Sequence, residues 1–257
     1  MLSDAHAHLY RYSLPSTELE TAMTRAKTNQ VRIILAAGTD VTSSAYTVTI
    51  AELYDSVYAC VGIHPWYANT YDEKAYRQLL QLTNNPQVIA ISEVCLDYVT
   101  RRESPSSPIR RNDYQPQSVQ INAFRRQIDL AIETQLPLII HHNQSHSVIL
   151  DTLQQYDPTL IRGAIHGFYG DSRTATQYLN LGLFLSIGAR SLITPEREPL
   201  LRQVLLNVPL NRLLIETDSN DPAGVQVAAE KIAEIKNIDP ETVGTTTTKN
   251  LQTLLGI

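Results

Sequence analysis

The residues with the most chemistry in this sequence are histidines, and they fall in a pattern. Asp4-Ala5-His6-Ala7-His8 puts two imidazoles at i and i+2. On an extended segment such positions project to one side, so both rings can reach one ion. The full set is His6, His8, His64, His141, His142, His146 and His166. All but His146 stand at, or within about two residues of, the C-terminal end of a short apolar run. Glu93 follows the run 88–92 in the same way, and Asp218 follows the run 213–216. Imidazole nitrogens combined with carboxylate oxygens suit zinc, manganese or iron, whereas magnesium prefers a shell richer in oxygen. Each residue also has a quieter reading. A His-x-His pair is often structural, Glu93 reads as a satisfied buried acid, and Ser219 after Asp218 reads as a helix cap. His141 and His142 are neighbours, so only one of them can face the remaining histidines, and strand alternation does not settle which.

What must position these residues is an alternation of strands and helices. Runs 1–5, 31–37, 57–63, 88–92, 138–140, 162–165, 182–187 and 213–216 read as strands. Between them lie helix signals. Ser16 precedes Thr17 and Glu18, with Leu19, Ala22 and Ala26 spaced as an apolar stripe. Phe124, Ile128, Ala131 and Ile132 repeat that spacing before Leu136-Pro137, and a last helical region, 225 to 236, leads into Pro240. Eight strands separated by helices predict one α/β domain over residues 1–257, a single (β/α)8 TIM barrel. The length of 257 residues suits such a unit. In that fold the C-terminal strand ends form one rim, where active sites are assembled, so the histidines and acids are expected to converge there. A doubly wound sheet is the alternative, but no glycine-rich phosphate loop follows the first strand. Residues 100–118 hold Arg101, Arg102, Arg110 and Arg111 among prolines and serines and read as a long loop, functional or simply solvated.

Composition narrows the partners. An apolar fraction of 43% can fill a sizeable core, and 18% charged residues argue against disorder. The net charge of −5 excludes a domain that grips nucleic acid by bulk positive charge, so any phosphate chemistry must rest on a local site. Cys60 and Cys95 form neither a CxxC pair nor a disulfide framework, which points to a reducing compartment, the cytoplasm. No basic segment followed by an apolar run opens the chain, and no stretch approaches about 18 uninterrupted apolar residues, so neither a secretory signal nor contact with a membrane is expected. No stable protein partner can be inferred.

Taken together, several blocks resemble the TatD-type deoxyribonucleases, a branch of the amidohydrolase superfamily of metal-dependent barrels. They are Asp4-Ala5-His6-Ala7-His8, Val61-Gly62-Ile63-His64-Pro65 and Ser92-Glu93-Val94-Cys95-Leu96-Asp97-Tyr98. Leu136-Pro137-Leu138-Ile139-Ile140-His141, Ile165-His166-Gly167-Phe168, Leu214-Ile215-Glu216-Thr217-Asp218-Ser219 and Thr248-Lys249-Asn250 complete the set. The resemblance implies a barrel carrying one or two divalent ions, Zn2+, Mn2+ or Mg2+. It implies that His6 and His8 bind one ion with Asp218, that His141 and His166 bind the second, and that Glu93 bridges both; it favours His141 over His142. Members of that family cleave phosphodiesters, often from the 3′ end of single-stranded DNA, through water activated by the ions. Asp218 and Glu93 would then be catalytic, with Asp218 orienting the water and taking its proton.

Departures from the family pattern are equally informative. Asn143 stands where an arginine usually contacts phosphate, and Ser92 replaces a glycine before Glu93. Ser219-Asn220-Asp221-Pro222 shortens the rim, and the four arginines of 100–118 are expected to meet an anionic substrate in compensation. His64 and Asn143 are candidate substrate contacts, and Trp66, Tyr67 and Tyr98 either stack on bases or pack the rim. DNA or another phosphodiester is thus the expected substrate. The alternatives are an ester, amide or lactone hydrolase built on the same ions, and a non-catalytic barrel subunit.

Overall fold

A computed structural model of the chain describes residues 1–98 and 115–257. The strands are β1 Leu2–Ala7, β2 Val31–Ala37, β3 Val57–Val61, β4 Val88–Asp97, β5 Leu138–Asn143, β6 Gly163–Ile165, β7 Phe184–Gly188 and β8 Leu213–Glu216. The helices are α1 Thr17–Thr28, α2 Val41–Leu53, α3 Glu73–Leu82, α4 Gln117–Thr134, α5 His146–Leu153, α6 Ser172–Asn180, α7 Ala189–Ile193, α8 Glu198–Asn207, α9 Val225–Lys236 and α10 Pro240–Leu255. Polar caps start several of them where the sequence predicts. Ser16 accepts from the Leu19 amide ahead of α1, and Asp40 accepts from Ser43 ahead of α2.

Each strand pairs in parallel with the next, in the order β1 to β8. The first and last strands meet just beyond β8, where Ala7 bridges Ser219. There the His8 amide donates to Ser219 O at 2.8 Å and the Asp218 amide to His6 O at 3.0 Å. The result is a (β/α)8 barrel whose seam is sewn at the segments bearing His6, His8 and Asp218.

Period-2 alternation decides what lines the barrel. Ile139, Ala164, Phe184 and Leu214 share a buried cluster with Ala5, Leu35 and Cys60. Leu251, Leu254 and Leu255 of α10 join that cluster. Gly244 of α10 packs on Met1 and Leu2, and Arg162 reaches Leu254 O, so α10 covers the end of the barrel where the strands begin. Two residues further along the same strand faces stand His141, His166, Ser186 and Glu216. The inner face thus turns from apolar to polar in one pleat. Asn250, in the Thr248-Lys249-Asn250 block, donates to Leu210 O at 2.9 Å and Leu213 O at 2.7 Å, anchoring α10 to the start of β8.

Several boundaries differ from the sequence reading. Strand β4 does not stop at residue 92. Val94, Cys95, Leu96 and Asp97 continue to pair with Ile140, His141, His142 and Asn143, so Glu93 lies inside a strand rather than after one. Strand β1 reaches Ala7, β3 ends at Val61, and α4 begins at Gln117, inside the expected 100–118 loop. Arg101, Arg102, Arg110 and Arg111 lie outside the described residues. Among the described residues, no helix is long and apolar enough to cross a membrane.

Gly62 shows how tightly the site's neighbourhood is built. A Cβ there would sit 1.9 Å from Ser92 O, the carbonyl next to Glu93. Gly62→Ala is therefore expected to cost about 1–3 kcal/mol or more of stability, because the backbone of β4 has to move. Thermal unfolding and ion binding should both suffer; an unchanged melting temperature would show that β4 yields freely at this point.

Candidate metal centre

Three imidazole nitrogens converge on one carboxylate oxygen. Glu93 Oε1 lies 2.7 Å from His6 Nε2, 3.5 Å from His8 Nε2 and 3.6 Å from His166 Nε2. Asp218 Oδ1 adds a second carboxylate, 3.1 Å from His8 Nε2 and 4.0 Å from His6 Nε2. On the other side, His141 Nδ1 lies 3.0 Å from His166 Nε2. The rings of His6 and His166 stack at 4.0 Å, which aligns their Nε2 atoms at Glu93. Among the described residues three groups lie close enough to hold an ion, His6–His8–Glu93–Asp218, Glu93–His141–His166 and His64–Asp97–His141, and Glu93 is common to the first two.

These separations suit divalent ions. Donors bound at about 2.0–2.2 Å to one ion stand about 3–3.5 Å apart, and most of the distances above fall near that range. The electrostatics agree. Burial raises the Glu93 carboxyl, yet the charges of His8 and His6 and the His6 hydrogen bond carry it well below the usual carboxylate range. Burial lowers His8, but Glu93 and Asp218 more than offset it and its pKa is raised. His166 is likewise lowered by burial but lifted to about 9, chiefly by Glu216. Burial and then His166 lower His6, leaving a neutral ring able to ligate, while the field that raises His8 and His166 is one that holds cations; the residues present therefore fit one or two divalent ions. The Glu93 side chain is 4% exposed whereas that of Asp218 is 51% exposed, so Asp218 is the carboxylate that meets solvent at the mouth.

The expected residues divide clearly. His6, His8, Glu93, His141, His166 and Asp218 come together. Alternation along β5 turns His142 outward, where its Nε2 meets Gly167 O and the Tyr169 amide beside His146. His64 stands next to the cluster, its ring 4.5 Å from that of His141, its Nδ1 accepting from the Trp66 amide. Burial and then His141 push its pKa down to about 3, so it is a neutral ring near neutral pH. Asn143 ends β5 at the rim, its backbone tied to Ser145 and Tyr98. Gly167 turns tightly after His166, with φ of 56°, a conformation that favours glycine.

A family model described as TatD related DNase matches residues 3–256. The chain belongs to that family. It is 31% identical to an uncharacterised metal-dependent hydrolase, YabD of Bacillus subtilis, over the full length of both chains. It is 28% identical to the 3′-5′ ssDNA/RNA exonuclease TatD of Citrobacter koseri, covering 93% of each. The crystal structure of YjjV, a TatD homologue from Escherichia coli, superposes with a TM-score of 0.85 at 23% identity, covering 100% of this chain and 98% of that one. That superposition shows the shared barrel.

Sequence reasoning missed Asp97 and Glu216. Asp97 Oδ2 lies 3.3 Å from His141 Nε2 and accepts from Trp66 Nε1 at 3.0 Å. Fully buried Glu216 meets His166 Nδ1, the Gly167 amide and Ser186 Oγ. The signal was present: Asp97 is two pleats beyond Glu93, and Glu216 one beyond Leu214, acids on inner faces of otherwise apolar strands. Trp66 spends its N–H on Asp97 and packs edge-on against His64, while Tyr67 and Tyr98 pack against the core, so these rings support the rim.

Proposed function

We propose that this TatD family member is a divalent-metal-dependent phosphodiesterase acting on nucleic acid, with single-stranded DNA attacked from its 3′ end. The observation that carries the reading is the single Glu93 oxygen shared by three imidazoles, with a half-exposed Asp218 beside it at the barrel mouth. His6, His8, Glu93 and Asp218 would hold one ion, and Glu93, His141 and His166 the second. Bound there, two divalent ions acidify water and neutralise charge on phosphoryl oxygens. Asp218 does the proton work. Desolvation at the cluster raises its carboxyl, but the His8 hydrogen bond and the charges of His8, His166 and His6 lower it further, so it is ionised near neutral pH. Neutral His64 and Asn143 are the side chains at hand for the substrate.

The neighbouring surface supports a nucleic-acid strand. A groove of about 480 Å³ lined by Tyr10, Asp40, Thr42, Ser43, Tyr46 and Thr49 opens beside the centre. Tyr10 also packs edge-on against His8, at 5.6 Å between rings, and so links groove to centre. Aromatic faces and hydroxyls suit bases and sugars. The whole of residues 1–257 acts as one unit in this reading, and its buried free thiols Cys60 and Cys95 fit the cytoplasm.

Asn143 favours a second reading, hydrolysis of a neutral ester, amide or lactone, since it offers no cation for phosphate. One experiment separates the two. Protein stripped with a chelator should be inactive, and Zn2+, Mn2+ or Mg2+ should restore release of nucleotides from 3′-labelled single-stranded DNA. Metal-restored turnover of simple esters without turnover of DNA or RNA would replace the phosphodiesterase reading with the second. Protein that binds no metal and turns over neither would end both.

A further inference from the structure

The histidines of the two groups that share Glu93 differ at the ring nitrogen that faces away from it. His141 Nε2 faces Asp97 Oδ2 at 3.3 Å, and His166 Nδ1 faces Glu216 Oε1 at 3.4 Å. Both acids are buried, 3% and 0% exposed, and both are held by further donors. Trp66 Nε1 donates to Asp97 Oδ2 at 3.0 Å; the Gly167 amide donates to Glu216 Oε1 at 2.6 Å and Ser186 Oγ to Oε2 at 2.5 Å. His6 Nδ1 and His8 Nδ1, by contrast, are buried and meet no hydrogen-bond partner among the described residues.

An ionised carboxylate only accepts, so the imidazole nitrogen opposite it carries the proton. In the neutral rings that would bind a metal, that choice leaves His141 Nδ1 and His166 Nε2 as lone pairs. These two atoms lie 3.0 Å apart, and lone pairs at that distance repel unless a cation or a shared proton sits between them. A carboxylate behind an imidazole also raises its basicity toward a metal.

We infer that Asp97 and Glu216 are positioning residues that set the tautomers of His141 and His166, so that the affinity of the second ion position depends on them while that of the His6–His8 position does not. The inference rests on the reading above that His141, His166 and Glu93 hold an ion. Asp97 could instead be a ligand, since His64, Asp97 and His141 also lie close enough to hold an ion. Two N–H groups already directed at Asp97 Oδ2 argue for an acceptor rather than a ligand.

The test is a Zn2+ titration of the metal-stripped full chain against a chromophoric chelator, for wild type, Asp97→Asn, Glu216→Gln, His8→Ala and His141→Ala. Two ions per wild-type chain are expected. Asp97→Asn should weaken, by roughly 10- to 100-fold, the ion that His141→Ala removes. It should spare the ion that His8→Ala removes and leave the melting temperature of the metal-free protein near wild type. Should Glu216→Gln fail to fold, Ser186→Ala probes the same carboxylate, with a smaller selective loss expected. Unchanged affinity for both ions, or equal weakening of both, overturns the inference alone. So does a third ion that Asp97→Asn abolishes, because Asp97 would then be a ligand. A wild type that binds no Zn2+ overturns the proposed centre as well.

Discussion

Asp218→Asn is expected to lower turnover of single-stranded DNA by about 10²- to 10⁴-fold, the usual worth of a positioned general base. The exchange removes the ability to accept a proton while keeping nearly the same shape. It also respects the backbone. Asp218 has φ of 50°, a left-handed conformation that asparagine tolerates as well as aspartate, and the hydrogen bond its backbone N–H donates to His6 O at the barrel seam does not involve the side chain. Far-ultraviolet circular dichroism and melting temperature should therefore stay near wild type. Ion binding at the His6–His8 position should weaken, because His8 loses a charged neighbour at 3.1 Å. Kinetics at saturating metal separate the two effects: a rate that recovers fully with added ion would make Asp218 a ligand only and remove it from proton transfer.

Glu93→Gln is expected to have the larger effect on the centre as a whole. Glu93 is shared by the His6–His8–Asp218 and His141–His166 groups, so neutralising it should weaken both ions and take hydrolysis to background. The same change should destabilise the metal-free protein in a defined pH window. The Glu93 carboxyl is held below its ordinary value, so its contribution is present above about pH 4.5 and is lost as pH falls through the lower folded value. His8 is held above its ordinary value, so its contribution is full below about pH 6.5 and is lost as pH rises through the higher folded value. The gap in melting temperature between metal-free wild type and Glu93→Gln should accordingly be widest at about pH 5–6.5 and narrow on either side. With a buried charge left unpaired, a stability difference of about 3 kcal/mol at that pH is the scale to expect. A gap that is flat with pH would show that the cluster holds no charge in the metal-free state.

The barrel and most of its centre were legible in the residues themselves. Eight apolar runs with helix signals between them specify the alternation, because each strand needs a covering helix and each helix a face to cover. His6, His8, His141, His166 and Asp218 were visible because they sit where those runs end, and in a parallel barrel all such ends meet at one rim. Spacing alone could not choose between His141 and His142. The pairing of β4 with β5 and the resulting pleat decided it, turning one ring toward Glu93 and the other toward Gly167 and Tyr169.

Other features came only from tertiary structure. Glu93 proved to lie within β4, since pairing with β5 continues the strand past a charged residue that an apolar-run criterion treats as its end. Asp97 and Glu216 acquire their meaning from partners 44 and 50 residues away, His141 and His166. The Glu93 position depends on Gly62, where the approach of Ser92 O leaves no room for a side chain. Residue type and local period state which groups face inward; which atom of each ring meets which carboxylate is a matter of register and of bonds between strands, and that the one-dimensional pattern does not carry.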